Sequence, residues 1–533
     1  MKLIKPIVTT SIVALLLTSC SPKVAPFITT DPANIDKTLV KTTPLKDEDL
    51  KRWSHLDMAK DTVPGMSVDL AYATVLKGKK GTKVIVGVID SGVDIDHEDL
   101  KSKIWVNKKE IPGNKKDDDN NGYVDDINGW NFLGDANDEN LELTRIVKKG
   151  DTNSPDYQAA KAELDAKLAQ INQQKPQVDM IAKADQDMRQ YLKKEKYTLA
   201  DLKTVNTTDA ELSKSKMIMT QIATQAGEGF QDEINSYITY IYDNLNYNLN
   251  VNFDGRKLVG DNPNDINDKK YGNGNVKGPD VTDGEHGTHV SGIIAQVRGN
   301  KKGGDGVTDN NIQIMALRAV PNGDEYDKDI ALAIRYAVDN GAKVINGSFG
   351  KDYSPNKEWV FDAIQYAASK DVLFVHASGN DGKNIDVEPN FPNDSKDKIT
   401  EISDNVLTIG ALNNTCGAKI VAPFSNFGKV NVDVFSPGME IYATVPNNKY
   451  KMEQGTSMAS PNVAGVAALI RAYYPNLTAS QVKHIIMDSG TPINYNVTVG
   501  EERKTMPFSE TCVSGKIVNA YNALLMAEQM SKK

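Results

Sequence analysis

Val84-Ile85-Val86-Gly87-Val88-Ile89-Asp90-Ser91-Gly92 is an unbroken apolar run that stops at an acidic residue and a glycine turn. A strand wetted on one face would alternate apolar and polar residues. A short β-branched run with no alternation is what a strand buried on both faces needs, and parallel sheets are where such strands occur. Similar runs recur at 312–317, 344–345, 372–375 and 406–409, with helical stretches such as 330–338 and 359–368 between them. Strand alternating with helix predicts an α/β fold, a parallel sheet with helices on both faces.

Residues 155–243 break this rhythm. Leu164, Leu168 and Ile171 recur at helical spacing in a stretch rich in Ala, Lys, Gln and Glu. The pattern resumes after Pro176, which is expected to break it, through Val178, Ile181, Met188 and Leu192. Thr198-Leu199-Ala200-Asp201 is a capping signal for another helix, and Ile234, Tyr237, Ile238 and Ile241 form a last apolar face. The expectation is an α-helical insertion, a hairpin or small bundle. No heptad persists, which argues against a long coiled coil.

The 533 residues carry 62 Lys plus Arg against 71 Asp plus Glu, a formal net charge of −9. A dedicated nucleic-acid binder would show a basic face, so no nucleic-acid partner is expected. At 39% hydrophobic residues the chain has the apolar mass for a large core, which excludes a disordered protein. Three cysteines exclude a disulfide-dense scaffold and a four-cysteine zinc site. Lys2 and Lys5 precede a short apolar run at 12–17 that ends in Leu17-Thr18-Ser19-Cys20. Basic start, short apolar core and small residues before a cut make a secretory signal, too short for a comfortable membrane span. The tetrapeptide resembles the bacterial lipoprotein signal, which implies lipidation of Cys20 and a membrane partner through that anchor. Ser21 is not the acidic residue that retains some lipoproteins at the inner membrane, so the expected place is the cell envelope, at the outer membrane of a Gram-negative bacterium. In an exported protein Cys416 and Cys512 either pair or stay as free thiols, and both readings stand at this point. The expected organisation is signal peptide 1–20, tether 21–50, a first catalytic part 51–135, the insertion 136–249 and a second catalytic part 250–533.

Three segments carry chemistry. They are Asp90-Ser91-Gly92, then Asp283-Gly284-Glu285-His286-Gly287-Thr288-His289-Val290-Ser291-Gly292, then Gly455-Thr456-Ser457-Met458-Ala459-Ser460-Pro461. Singly each is weak: an Asp often ends a strand, and a Ser in a first helical turn is usually a cap. Their order, Asp then His then Ser, is one of the known chain orders of a catalytic triad. With these motifs in place the sequence resembles the subtilisin-like serine proteases over roughly 51–135 and 250–525.

The resemblance implies a serine endopeptidase acting on polypeptide substrates, with Ser457 as nucleophile, His286 as general base and Asp90 fixing the imidazole. It implies that Asn380, in Ser378-Gly379-Asn380, supplies a side-chain amide to the oxyanion. It also implies that Ile345-Asn346-Gly347-Ser348-Phe349-Gly350 is the edge on which substrate adds as a strand, with Ser348 and Gly350 matching and Phe349 replacing a more usual Leu. A tripeptidyl or processing protease is a variant of the same reading, and an inactive fold kept as a binding module is the alternative from another class. His376 departs from the small apolar residue usual in the family and reads as a buried, hydrogen-bonded histidine. His289 lies three residues after His286 without a third ligand at metal-site spacing, so a catalytic metal is not expected. His55, His97 and His484 read as surface or structural.

Calcium is the expected cofactor, in a structural role. Asp117, Asp119, Asn121 and Asp125 fall at positions 1, 3, 5 and 9 of an EF-hand-like loop with Gly122 at position 6. Position 12 is Asn128 rather than Glu, so only the ligand spacing is shared. Asp99 matches a calcium ligand of the family, although the loop at 300–305 that would complete that site is altered. Many relatives carry a folding pro-domain, and the roughly 30 residues between Cys20 and the globular start are too few for one.

Overall fold

The computed structural model describes residues 43–532. The readings on Lys2, Lys5, the 12–17 run and Cys20 lie outside the described residues, as does most of the tether. The tether's last part is not a tether. Asp47–Leu50 is a helical turn, and Leu45 and Leu50 pack on the main core, so the globular body starts before residue 51.

The apolar runs become strands β1 (Val84–Asp90), β3 (Ile312–Arg318), β4 (Ala342–Gly347), β5 (Leu373–Ala377) and β6 (Val406–Leu412). They are joined by β2 (Gly129–Asn131), β7 (Val434–Pro437), β10 (Thr491–Pro492) and β13 (Lys516–Ile517) in one nine-stranded sheet of order β10-β13-β7-β6-β5-β4-β1-β3-β2. All its pairs are parallel except β10 with β13. Two hairpins lie outside it: β8 (Ile441–Val445) with β9 (Lys449–Glu453), and β11 (Asn496–Val499) with β12 (Lys504–Pro507).

β1 pairs with β3 on one side, ending at Asp90↔Arg318, and with β4 on the other, ending at Ile89↔Gly347. Strand order therefore reverses at β1, and Asp90 stands at the carboxyl end of the sheet at that switch point, where crevices open in such folds. Val84, Val86 and Val88 point into one core and Ile89 into another. The first core contains α6 (Glu285–Ala295) and α9 (Thr456–Tyr473), and the second contains α7 (Asp327–Asp339) and α8 (Lys357–Ser369). Burial on both faces is why the β1 run does not alternate.

The insertion comprises α1 (Glu142–Lys149), α2 (Tyr157–Leu192), α3 (Leu199–Thr204), α4 (Ala210–Ala226) and α5 (Phe230–Asp243). It is a small bundle with cores of its own. The distal half of α2 buries Ala184 and Met188 against Leu202, Met219 and Phe230. The proximal half buries Leu164, Ile171 and Val178 with Leu143, Ile146 and Ile241. The Thr198–Asp201 capping box opens α3 as expected. Pro176 does not break the helix: α2 runs through it for 36 residues, about 54 Å at 1.5 Å per residue. An internal proline costs about 3 kcal/mol. Ile171 and Val178, buried in one core on either side of it, offset that cost.

Cys416 and Cys512 are both free thiols, one half-buried and the other buried, so the unpaired alternative holds. Among the described residues, no helix is long and apolar enough to cross a membrane.

Candidate active site

Asp90, buried at the end of β1, meets the first turn of α6. His286 Nδ1 lies 2.7 Å from Asp90 Oδ1, which also accepts the Ser91 N–H at 2.8 Å. The close approach depends on Gly287, where a Cβ would stand 2.2 Å from the Gly92 carbonyl oxygen and 2.9 Å from the Asp90 Cβ. With Nδ1–H donated to Asp90, the His286 lone pair sits on Nε2, free to accept a proton.

Ser457 lies in the first turn of α9, which packs against α6. Its hydroxyl donates to the Ser348 carbonyl at 3.3 Å, and no hydrogen bond joins it to His286. The Ser348 hydroxyl in turn donates to the Ser457 carbonyl at 2.9 Å and accepts from the Asn346 amide at 2.9 Å. Ser348 is therefore a strut that fixes the Ser457 turn to the end of β4. The next residues of that edge are open: Gly350 has no backbone hydrogen-bond partner.

Asn380 follows β5 and faces the same turn. Its Oδ1 accepts from the Thr456 N–H at 2.8 Å and the Thr456 hydroxyl at 3.0 Å. That fixes the amide orientation and leaves Nδ2 as a donor beside Gly455, where a Cβ would lie 3.5 Å from both Asn380 Nδ2 and the Ser457 nitrogen. Buried Asn426 braces the Asn380 turn. Its Nδ2 donates to the Ser378 carbonyl at 2.8 Å, and its Oδ1 accepts from Lys383 N–H at 2.8 Å and Asp381 N–H at 3.1 Å. Nothing local in the sequence marks Asn426 for this task, because its partners lie about 45 residues away.

Charge is concentrated on His286. Burial alone lowers the imidazole, but the Asp90 charge and hydrogen bond outweigh it and push it up to about 9, with Glu453 adding in the same direction. The side chain is 39% exposed, so water screens part of this pull. Glu453 ends β9, and burial pushes it up to about 7 against the pull of His286 and Lys451. Lys451 bonds Glu285 at 2.6 Å and lies 3.7 Å from Glu453. This acidic neighbour of the imidazole is invisible in sequence, since only the β8–β9 hairpin brings it to α6.

The other histidines are structural where buried. Burial holds His289 down to about 3, and its Nε2 meets the Lys451 carbonyl at 3.1 Å. His376 is held down to about 4 by burial; its Nδ1 meets the Gly347 carbonyl at 3.0 Å and its ring stacks on Phe374. His55 and His97 are buried too, against Arg298 and the Lys449 carbonyl, while His484 sits at the surface beside Asp404.

The family model for Peptidase_S8, the subtilase family, matches residues 81–503. The chain belongs to the subtilase family. It is 39% identical over 204 residues to the thermophilic serine proteinase of Bacillus sp. (strain AK1), covering 37% of this chain and 46% of that protein. It is 31% identical over 278 residues to subtilisin-like protease 1 of Plasmodium vivax, covering 48% and 42%. With the cell wall-associated protease of Bacillus subtilis (strain 168) it shares 36% identity over 225 residues, covering 42% and 23%. Each match spans less than half of the relative's own length.

A cavity of about 320 Å³ touches both Ser457 and Asn380 of this subtilase. Phe349 and Gly350 line one side of it, and Glu163 and Lys167 of α2 line another. Periodicity alone does not place the insertion here, but its second end runs through 252–280 straight into His286, which brings it to this rim.

The acidic loop gathers part of the expected set. Carboxylate oxygens of Glu110, Asp117 and Asp119 lie within 4.8 Å of one another, and Glu110 was not foreseen. Asn121 is turned to Asp126 at 2.8 Å, and Asp125 stands outside that trio with a buried Oδ1 that has no partner. Hard carboxylate oxygens with an orphaned acceptor beside them fit a calcium ion by donor chemistry. Asp99 Oδ1 accepts from the Asn300 amide and the Val297 N–H, while its Oδ2 is buried without a hydrogen-bond partner.

Proposed function

We propose that this subtilase is a secreted, lipid-anchored serine endopeptidase that hydrolyses polypeptides through Asp90, His286 and Ser457, with Asn380 in the oxyanion hole. The observation that carries the reading is the 2.7 Å contact of His286 with Asp90 at the sheet's switch point, across from a serine at a helix start. Rotation of the Ser457 side chain from the Ser348 carbonyl toward His286 Nε2 gives the hydroxyl its base. Attack on a peptide carbonyl then transfers the hydroxyl proton to Nε2, and Asp90 stabilises the imidazolium. The negative oxygen of the tetrahedral intermediate is met by Asn380 Nδ2 and the Ser457 N–H, both fixed before the reaction. His286 returns the proton to the leaving amine, and water repeats the sequence on the acyl-enzyme. Substrate main chain adds along the open edge at Ser348 and Gly350.

In the same reading calcium would be held by Asp117 and Asp119 with Glu110, and Asp125 and Asn121 would turn in from outside that trio to join them. It supplies charge neutralisation among the carboxylates and takes no part in bond cleavage. Cys20 carries the lipid, and the chain sits in the cell envelope, at the outer membrane of a Gram-negative cell. The support for the anchor is the sequence Leu17–Cys20 after a short apolar run. A Cys20→Ser chain should appear uncleaved or soluble on fractionation; an unchanged membrane fraction rejects the anchor.

The activity is tested by casein hydrolysis. Wild-type chain should digest casein, and Ser457→Ala, which removes only the nucleophilic oxygen, should not. Equal digestion by both would reject the triad, and digestion by neither would favour a binding module.

A further inference from the structure

The cavity beside Ser457 and Asn380 is where the side chain of the residue before the scissile bond must go, since its carbonyl lies between those two groups. Part of its wall is foreign to the catalytic body. Leu143 of α1 and Glu163 and Lys167 of α2 line it opposite Ala377 and Gly379. The insertion is fastened in this position. The Tyr353 hydroxyl donates to Glu163 Oε2 at 3.0 Å. Lys351, 2% exposed, bonds Glu142 at 2.7 Å and Asp327 at 2.9 Å. The buried Lys351 contacts fix α1, and α2 packs on α1 through Leu143, Ile146, Leu164 and Ile171, so α2 is a standing wall rather than a loose cover.

The charge behind that wall is unbalanced. Glu142, Asp324, Glu325 and Asp327 are gathered around only two cations, Arg145 and Lys351. Glu142 and Asp327 take both cations' ion pairs, and neither Asp324 nor Glu325 forms one among the described residues. Burial raises both above the usual carboxylate range, Glu325 to about 7, which weakens their negative charge, so the acidic character of the cavity rests chiefly on Glu163, Asp352 and Asp381. Glu325 Oε1 is buried without a hydrogen-bond partner. Asp324, Asp352 and Asp381 line the cavity together with Lys351; Asp352 and Asp381 share Lys383, and Lys351 is already paired with Glu142 and Asp327. Lys167 lines the cavity too and pairs with Glu163 at 3.4 Å, but it is 43% exposed, so an incoming cationic side chain can compete with this water-screened partner for Glu163. A volume of about 320 Å³ admits a long side chain, and its lining favours one with a positive end.

We propose that the insertion helix α2 completes the pocket for the residue preceding the scissile bond, and that this pocket selects a long cationic side chain, lysine or arginine. The proposal rests on the peptidase reading above. The substrate class is then polypeptides cut after basic residues, and Glu163 is a specificity-determining residue contributed from outside the catalytic fold.

The test uses the full chain and fluorogenic peptides that differ only at the residue before the cut: Lys, Arg, Leu or Glu. The expected kcat/KM for Lys and Arg exceeds that for Leu by about tenfold and that for Glu by about 100-fold. Glu163→Gln should narrow the Lys-to-Leu ratio, and Glu163→Lys should narrow it further or invert it. Preference for Leu over Lys, or a ratio that neither substitution moves, overturns the proposal. Casein digestion by the same wild-type preparation separates the two failures. Digestion with a Leu preference sinks only the pocket assignment, whereas absence of any digestion sinks the peptidase reading beneath it.

Discussion

At the scale of single residues, the chemistry turns on two orientations that hydrogen bonds set in advance. Asp90 fixes which nitrogen of His286 bears the proton, and Thr456 fixes which end of the Asn380 amide faces the Ser457 turn. The oxyanion exists mainly in the transition state, so Asn380→Ala should lower kcat by about 10²–10³, the loss known for such a donor in subtilisin, with little change in KM. A raised KM at unchanged kcat would count against the role. The pH dependence follows from His286. Its imidazole is held above the ordinary 6.5, toward about 9, so the protonated and inactive form persists into alkaline solution. kcat/KM should therefore rise with pH through an apparent pKa between those values. Removing the negative charge in Glu453→Gln destabilises the imidazolium and should move the rise to lower pH; an unmoved profile would show that Glu453 does not act on His286. These residues differ in how legible they were. Asp90, His286, Ser457 and Asn380 stand in short motifs whose glycines and small residues are needed for close approach, so their neighbours in sequence announce them. Glu453 and Asn426 act through partners distant in the chain, and nothing adjacent to either reveals it.

At the scale of elements, the strands were legible because burial on both faces removes alternation, as in Val84–Asp90. The helix α2 was legible in type but not in extent. Pro176 is a local signal, and packing of Ile171 and Val178 overrides it. The tether was misjudged at its end for a similar reason: two leucines, Leu45 and Leu50, are too few to show periodicity, yet they find the core. The acidic loop was legible as a carboxylate cluster, but of the expected four only Asp117 and Asp119 gather in it, and Glu110 entered only through the fold. If calcium holds this loop, chelation leaves Glu110, Asp117 and Asp119 repelling one another and withdraws the stability that binding adds by mass action. The melting temperature should fall with a chelator and recover with calcium, and Glu110→Gln should blunt the response. A melting temperature indifferent to both additions would retire the site.

At the scale of the whole molecule, an open α/β sheet presents its switch-point crevice to solvent, and here a helical bundle stands at that crevice. Its own cores explain why it can be inserted without disturbing the sheet, and its amphipathic faces pack chiefly on one another. Where it docks depends on the pairs Glu142 with Lys351 and Glu163 with Tyr353, whose members are 209 and 190 residues apart, so position was not readable from periodicity. A bundle beside the cleft restricts large substrates more than small ones. Replacing residues 155–240 by a short Gly-Ser linker should raise cleavage of folded proteins relative to small peptides, in a trimmed chain shown by thermal melting to be folded. An unchanged ratio of the two specificity constants would leave the bundle without a gating role. The expectations on catalysis presuppose that Ser457 is a nucleophile activated by His286. The direct measurement is mass spectrometry of the chain after exposure to a fluorophosphonate at neutral to alkaline pH. The account predicts a single adduct on the peptide containing Ser457, formed in wild type and lost in His286→Ala. An unlabelled Ser457 in folded wild-type protein, or labelling that His286→Ala leaves undiminished, would contradict it.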